Sequence, residues 1–195
     1  IISSWGENVY VKIPITNTKG EDSSDLVIRL LKDSIKINVT AVTTERQLKN
    51  INKGLYKNVI PLIISVFAGR IADTGKNPSE KIKKVKELLF GSVVLEDYQK
   101  EIGDIFLLTH LVGGSSAGNL SEQIKDKETH IEILWASPRE VLNIYQAEEA
   151  GADIITCTPD LIEKYEKLKG KDLTEFSLET VQMFYNDAKA AGYTL

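Results

Sequence analysis

The stretch Ile131-Glu132-Ile133-Leu134-Trp135-Ala136-Ser137-Pro138-Arg139-Glu140 joins an apolar, strand-like run to the start of a helix. It offers a serine as N-cap, a proline at the first helical position and a glutamate three residues after the serine, which is the pattern of a capping box. The pattern predicts a helix over 138–150, which Gly151 can close in the left-handed conformation. A second apolar run over 153–157 follows, so this part of the sequence predicts a strand–helix–strand unit.

The same alternation extends along most of the chain. Apolar, β-branched runs predict strands at 9–13, 35–39, 60–67, 131–135 and 153–157, and amphipathic segments predict helices at 25–31, 45–51, 79–89, 138–150, 161–168 and 178–190. Strands that alternate with helices and are buried on both faces favour a parallel sheet with right-handed crossovers. Both a barrel and an open doubly wound sheet satisfy this pattern.

Composition narrows the class of protein. The chain has 195 residues, of which 42% are hydrophobic and 27% are charged, as is typical of one globular domain. Its net charge of −4 gives no basic field, so we expect neither a nucleic acid nor a membrane as partner. The longest apolar run, Val59 to Ala68, is about half the length of a membrane span.

Cysteine and histidine are too few for disulfide or metal chemistry. Cys157 is the single cysteine, and His110 and His130 are the two histidines, so we expect no metal site and a reducing, cytoplasmic location. The sequence begins with Ile1 rather than methionine and shows no signal peptide; we expect an incomplete N-terminus.

Lys12 is the informative charged residue, because it interrupts the apolar strand Val9-Tyr10-Val11-Lys12-Ile13-Pro14. A lysine that points into a core either pairs with an acid or becomes a neutral amine, which is a nucleophile for carbonyl groups. A lysine on an exposed edge strand is the alternative that spacing alone also allows.

Four segments at strand ends bear on this choice: Val11-Lys12-Ile13-Pro14-Ile15-Thr16, Asn38-Val39-Thr40, Ser65 to Asp73, and Ala136-Ser137-Pro138-Arg139. In this order they resemble the transaldolase family, over residues 5–79 and 131–195. The resemblance implies an α/β fold of the (βα)8 TIM-barrel type, here incomplete, with about five family strands in one domain over 1–195. Residues 91–129 are an insert that we expect to add one βα unit.

The resemblance also implies the roles of particular residues. Lys12 would form a Schiff base with a ketose phosphate, and Thr40 would help to hold the catalytic water. The remaining positions would line the substrate pocket: Asn38, Ser65, Phe67, Arg70, Ser137 and Arg139. The related fructose-6-phosphate aldolases carry a tyrosine at the position of Phe67, so the phenylalanine favours transfer over free aldol cleavage.

Simple electrostatics supports a phosphate site near the predicted helix at 138–150. Arg139 would lie in its first turn, where free N–H groups and the helix dipole favour an anion and a guanidinium adds a bidentate clamp. Arg70 could supply a second positive charge, and an ion pair with Asp73 is its alternative role.

The resemblance implies transfer of a dihydroxyacetone unit from sedoheptulose 7-phosphate or fructose 6-phosphate to an aldose phosphate, in the non-oxidative pentose phosphate pathway. It implies no cofactor and no metal, and we expect a homo-oligomer. The family's acid/base groups, an aspartate and a glutamate on strands before that of Lys12, have no counterpart in this sequence. A catalytically incomplete sugar-phosphate-binding or interaction domain is therefore the alternative function.

The insert contains Gly113-Gly114-Ser115-Ser116-Ala117-Gly118 between a possible strand at 105–108 and a possible helix at 119–127. The motif fits a hydrolase nucleophile elbow, but no acid-then-histidine order follows it. It also resembles, with a longer spacing, the phosphosugar loop of sugar isomerase domains. A Gly/Ser-rich surface loop between added elements is the interpretation that the sequence favours.

Overall fold

The computed structural model describes residues 1–55, 60–91 and 130–193. These form two compact units, residues 1–157 and 158–195. The first unit is built on a parallel sheet of five strands: β1 (Val11–Pro14), β2 (Ile37–Val42), β3 (Leu62–Val66), β4 (Ile131–Trp135) and β5 (Ile154–Ile155). The strands pair in the order in which they occur in the chain.

Helices follow the strands as the alternation predicts. The first unit contains α1 (Ser24–Lys32), α2 (Lys49–Gly54), α3 (Ala68–Asp73), α4 (Pro78–Lys86) and α5 (Leu142–Glu149). Short 3-10 helices occupy Ile2–Ser4 and Glu45–Leu48, and a π-helical turn occupies Glu87–Gly91. The second unit contains α6 (Pro159–Leu168) and α7 (Leu173–Ala190).

The two faces of the sheet are different. On one face, apolar side chains of alternate strand positions pack with the helices in one core, which includes Ile37, Val39, Leu62, Ile64, Ile133 and Trp135 from the strands and Val27, Leu48, Ile71, Ile82, Val85 and Ala147 from the helical segments. The opposite side chains form a smaller cluster of Ile63, Leu134 and Ala136, with Tyr10, Phe67 and Ile154 against it. We call this second side the inner face.

This arrangement decides between the two sheet types that the sequence allows. A doubly wound sheet reverses its strand order and carries helices on both faces, whereas a TIM-type barrel keeps chain order and carries its helices on one face. The five strands run in chain order, and the core shared with the helices uses one face of them. The fold is therefore α/β and consistent with an incomplete TIM barrel, as predicted.

The five predicted strands are confirmed; the ends of β4 are as predicted, and those of the other four strands are shifted by one to three residues. β4 pairs directly with β3 from Leu62↔Ile131 to Val66↔Trp135, although about 65 residues separate them in the chain. The predicted strand at 105–108, the Gly/Ser loop at 113–118 and the predicted helix at 119–127 lie outside the described residues.

Two helix predictions are corrected by the structure, and one helix was missed. The helix predicted at 138–150 begins only at Leu142, and Ser137 does not cap it. The last helix begins at Leu173 rather than 178, because the Asp172 carboxylate accepts hydrogen bonds from the N–H groups of Thr174 and Glu175, at 2.9 and 3.0 Å. The short helix α3 was not predicted.

Gly151 confirms the predicted left-handed helix end, with a φ of 76°, and Gly192 adopts the same conformation after α7, with a φ of 84°. Gly69, in the first turn of α3, has a different role, because a Cβ there would lie 1.8 Å from the backbone oxygen of Ser137. The Gly69 N–H also donates to the Ala136 carbonyl oxygen at 3.3 Å. The absence of a side chain therefore lets α3 contact the segment that follows β4.

We expect Gly69→Ala to lower the free energy of unfolding by about 1–3 kcal/mol, because the obstructing atom belongs to the backbone and cannot rotate away. Gly6→Ala is the matched control, since a Cβ at Gly6 meets side chains rather than backbone, Asn8 at 3.0 Å and Val9 at 3.7 Å. Denaturant unfolding of both variants measures the difference. Equal stability of the two variants would contradict the proposed close contact.

Candidate active site

Lys12 lies in the middle of β1, on the inner face, because its neighbour Ile13 packs against the helix-facing core. The side chain of Lys12 is exposed. In the described sheet β2 covers one side of β1, and the exposure of Lys12 there is what the edge-strand alternative predicts. No carboxylate of the described residues forms an ion pair with Lys12.

Asn38 is the neighbour of Lys12 on the next strand, since the two residues are partners in the β1–β2 register. Asn38 and Ser65 meet on the same face, where the Ser65 hydroxyl donates to Asn38 Oδ1 at 2.7 Å. With its oxygen engaged by Ser65, the Asn38 amide keeps its N–H₂ group as a donor. This donor stands beside the strand position of Lys12 and can bind a hydroxyl or carbonyl oxygen.

Thr40 follows on the same strand and is 7% exposed. The β2–β3 register shifts between Val39 and Val42, and Ala41 has a φ of 61°, so β2 bulges directly after Thr40. Thr40 Oγ1 is buried and has no hydrogen-bond partner within residues 1–55, 60–91 and 130–193. A buried hydroxyl without a partner is costly, so this atom is suited to bind a small polar molecule.

Phe67 lies directly after β3, where it packs against the apolar cluster of the inner face. Tyr10 contacts the same cluster from the start of β1, two residues before Lys12 and on the same side of the chain. Burial raises the pKa of the Tyr10 phenol, and the nearby charge of Glu132 on β4 raises it further. The inner face therefore combines a polar group of side chains with an apolar wall.

Ser137 and Arg139 follow β4 at the same edge of the sheet, but not in a helix. Ser137 has a φ of 59°, and the N–H groups of Arg139 and Glu140 donate to Asn143 Oδ1 at 2.7 and 3.0 Å. Asn143 thus satisfies the N–H groups that were expected to bind an anion. At this position the guanidinium group of Arg139, rather than these N–H groups, could bind an anion.

The two arginines differ in their partners. Arg139 Nη2 forms an ion pair with Asp73 Oδ2 at 3.1 Å. Arg70, which the sequence paired with Asp73 as an alternative, is exposed on α3, and no ion pair of Arg70 occurs in the described parts of the chain. The alternative role of Arg70 is therefore wrong, because its predicted partner contacts Arg139.

Glu132 is a charged residue of the inner face that was not predicted from the sequence. Glu132 interrupts the apolar strand β4 as Lys12 interrupts β1, and it lies on the inner face in register with Ile63. The same signal, one charge in a run of apolar residues, could have identified it. Asp73 could not be paired with Arg139 in this way, since 66 residues separate the two.

Other site types find little support in the described chain. No group of three or more His, Cys, Asp or Glu side chains within the described ranges could hold a metal ion. Burial raises the pKa of the Cys157 thiol, which disfavours a nucleophilic thiolate. Within those ranges, no helix has the length and apolar character needed to cross a bilayer.

Comparison with known proteins gives a consistent result. The model of the family described as transaldolase/fructose-6-phosphate aldolase matches residues 1–195. A probable transaldolase of Nitrosopumilus maritimus (strain SCM1) is 25% identical over 189 residues, which are 97% of this chain and 64% of that protein. A probable transaldolase of Streptococcus pyogenes serotype M5 (strain Manfredo) is 35% identical over 102 residues, 52% of this chain and 41% of that protein.

The chain therefore spans less than two thirds of the length of these relatives. The family match, in contrast, includes all four strand-end segments that carry Lys12, Asn38, Ser65 and Arg139. The sheet order, the single helix-bearing face and the match over the whole chain agree, and the chain belongs to the transaldolase/fructose-6-phosphate aldolase family.

Proposed function

We propose that the protein containing this chain is a transaldolase, which transfers a dihydroxyacetone unit from a ketose phosphate to an aldose phosphate through a Schiff base on Lys12. The donor would be sedoheptulose 7-phosphate or fructose 6-phosphate, as in the non-oxidative pentose phosphate pathway. The observation that carries the proposal is the position of Lys12, which lies in register with Asn38 on the inner face of the sheet. The match of the whole chain to this family supports it.

Lys12 would act as nucleophile and then as electron sink. Its neutral amine adds to C2 of the ketose, and loss of water gives an iminium ion. The C3–C4 bond then breaks, its electron pair moves into the iminium, and the C4 hydroxyl gives up its proton as the aldehyde leaves. The enamine attacks the carbonyl carbon of the acceptor aldose, and water then releases the product from Lys12.

The polar residues of the inner face suit the oxygen atoms of this sequence. The Asn38 N–H₂ group can donate to a donor hydroxyl beside the lysine, since Ser65 already occupies the amide oxygen. The buried Thr40 hydroxyl can hold the water that leaves and later re-enters. Phe67 and the apolar cluster beside it would exclude further water from the enamine.

The phosphate group of the sugar would bind beyond the ends of β3 and β4, where Arg70, Ser137 and Arg139 lie. The guanidinium of Arg139 can bind a phosphate with two hydrogen bonds, Ser137 can add a third, and the exposed Arg70 contributes positive charge. We also propose a cytoplasmic location and a homo-oligomer, and the single cysteine suits a reducing compartment.

A second candidate function is sugar-phosphate binding without transfer. This function is favoured because no described carboxylate forms an ion pair with Lys12. Proton transfer by a positioned acid or base raises the rate of such reactions by about 10²–10⁴-fold. Turnover of fructose 6-phosphate with an aldose phosphate by the whole protein distinguishes the two functions.

Borohydride reduction in the presence of fructose 6-phosphate should attach the dihydroxyacetone unit to Lys12, because the reagent reduces the iminium to a stable amine. Peptide mass spectrometry locates the adduct. We expect Lys12→Met to abolish labelling, while Lys32→Met, which removes an exposed lysine at the end of α1, should retain it. A folded wild-type protein without an adduct would sink the Schiff-base proposal.

Arg139→Met should raise the KM for fructose 6-phosphate by about 10- to 100-fold, the usual loss for hydrogen bonds to a charged group. The increase in KM should be smaller with fructose, which has no phosphate. The ratio of the kcat/KM values for fructose 6-phosphate and fructose therefore measures the role of Arg139 in phosphate binding. Arg29→Met removes an exposed arginine from α1 and is the matched control. An unchanged ratio in Arg139→Met would exclude Arg139 from phosphate binding.

A further inference from the structure

The ion pair between Asp73 and Arg139 joins the end of α3 to the segment that follows β4. Arg139 Nη2 lies 3.1 Å from Asp73 Oδ2, and the two side chains are 53% and 55% exposed. Solvent therefore reaches both partners, and an ion pair of this kind is weak enough for a dissolved anion to replace.

The contact occupies one defined edge of the guanidinium group. A Cβ at Gly69 would lie 3.1 Å from Arg139 Nε, so the Nε side of the guanidinium lies against the first turn of α3. Nη2, on the same edge, contacts Asp73 at the end of that helix. The Nε–Nη2 edge is one that carboxylates and phosphates bind with two parallel hydrogen bonds, and the contact with Asp73 takes up the Nη2 position of this edge.

We propose that Asp73 is a built-in competitor for Arg139, which lowers the affinity of this position for a phosphate ester and selects for dianionic phosphate over singly charged anions. An incoming carboxylate carries the same single negative charge as Asp73. A phosphate near neutral pH carries a charge of about −1.5 to −2 and three acceptor oxygens, so it can displace Asp73. The inference rests on the proposed role of Arg139 in phosphate binding.

The placement of the other charged residues supports a specific effect of Asp73. Arg70, one turn earlier on α3, has no ion pair within the described ranges and remains available when Asp73 is displaced. The displaced Asp73 carboxylate can stay in solvent at the end of α3, because it is half exposed. The exchange therefore leaves no buried charge without a partner.

The test is a calorimetric titration of the whole protein with inorganic phosphate at low ionic strength, which measures the phosphate affinity. We expect Asp73→Asn to bind phosphate about two- to tenfold more tightly, because the variant loses a weak competing ion pair and a nearby negative charge. The gain should shrink at high salt. Asp33→Asn is the matched control, because it changes the net charge equally. Asp33 follows α1 and precedes β2, at the opposite edge of the sheet. The phosphate affinity of this variant should equal that of the wild-type protein.

The double variant Asp73→Asn/Arg139→Met shows whether Asp73 acts through Arg139. The gain should vanish in the Arg139→Met background; a gain that persists there overturns the proposal. Unchanged, weaker or undetectable phosphate binding by folded Asp73→Asn also overturns it, since Asp73 would then be neutral or would position Arg139 for phosphate.

The borohydride experiment separates this inference from the proposed function. A Lys12 adduct together with an unchanged phosphate affinity in Asp73→Asn means that the inference fails and the Schiff-base function stands. A tighter phosphate site without any Lys12 adduct means that Asp73 regulates an anion site in a protein that does not perform the proposed transfer.

Discussion

Side-chain alternation divides the residues of the three central strands, β2, β3 and β4, into two sets, one on each face of the sheet. Every second position must be apolar to pack with the helices, and Ile37, Val39, Leu62, Ile64 and Ile133 meet that requirement. The positions between them are released for other uses, and Asn38, Thr40, Ser65 and Glu132 occupy them. Because parallel pairing fixes the register, a shift of one residue in any strand would exchange the two sets and remove both the core and the polar group.

The strands could be predicted from the sequence because the apolar residues that pack with the helices appear directly as apolar runs. The starts of the helices were harder to predict, since they depend on which side chain satisfies the first N–H groups. Asn143 does so for the segment before α5, although a serine and a proline suggested an earlier start. The cap of α7 was visible in the sequence as an aspartate followed three residues later by a glutamate, and hydrophobic periodicity alone did not reveal it.

The candidate site also has features that the sequence predicts and features that it does not. The residues on strands could be assigned to one face from alternation, and the hydrogen bond between Ser65 and Asn38 agrees with that assignment. The burial of Lys12 could not, because it depends on whether a strand lies at the edge of a sheet. The partner of Arg139 depends on the contact between α3 and the segment after β4, which in turn depends on a glycine with no side chain at the point of approach.

The direct pairing of β3 with β4 has a consequence for how this fold tolerates change. Gly91 ends the π-helical turn after α4, and the carbonyl oxygen of His130 accepts a hydrogen bond from the Leu62 N–H at 2.7 Å, where β3 begins. The segment between them is thus attached at the edge where strands start, whereas Thr40, Phe67 and Arg139 lie where strands end. A change in the length of this segment can therefore leave the spacing of Thr40, Phe67 and Arg139 at the other edge unaltered, so the size of the protein and the geometry of its candidate site are structurally independent here.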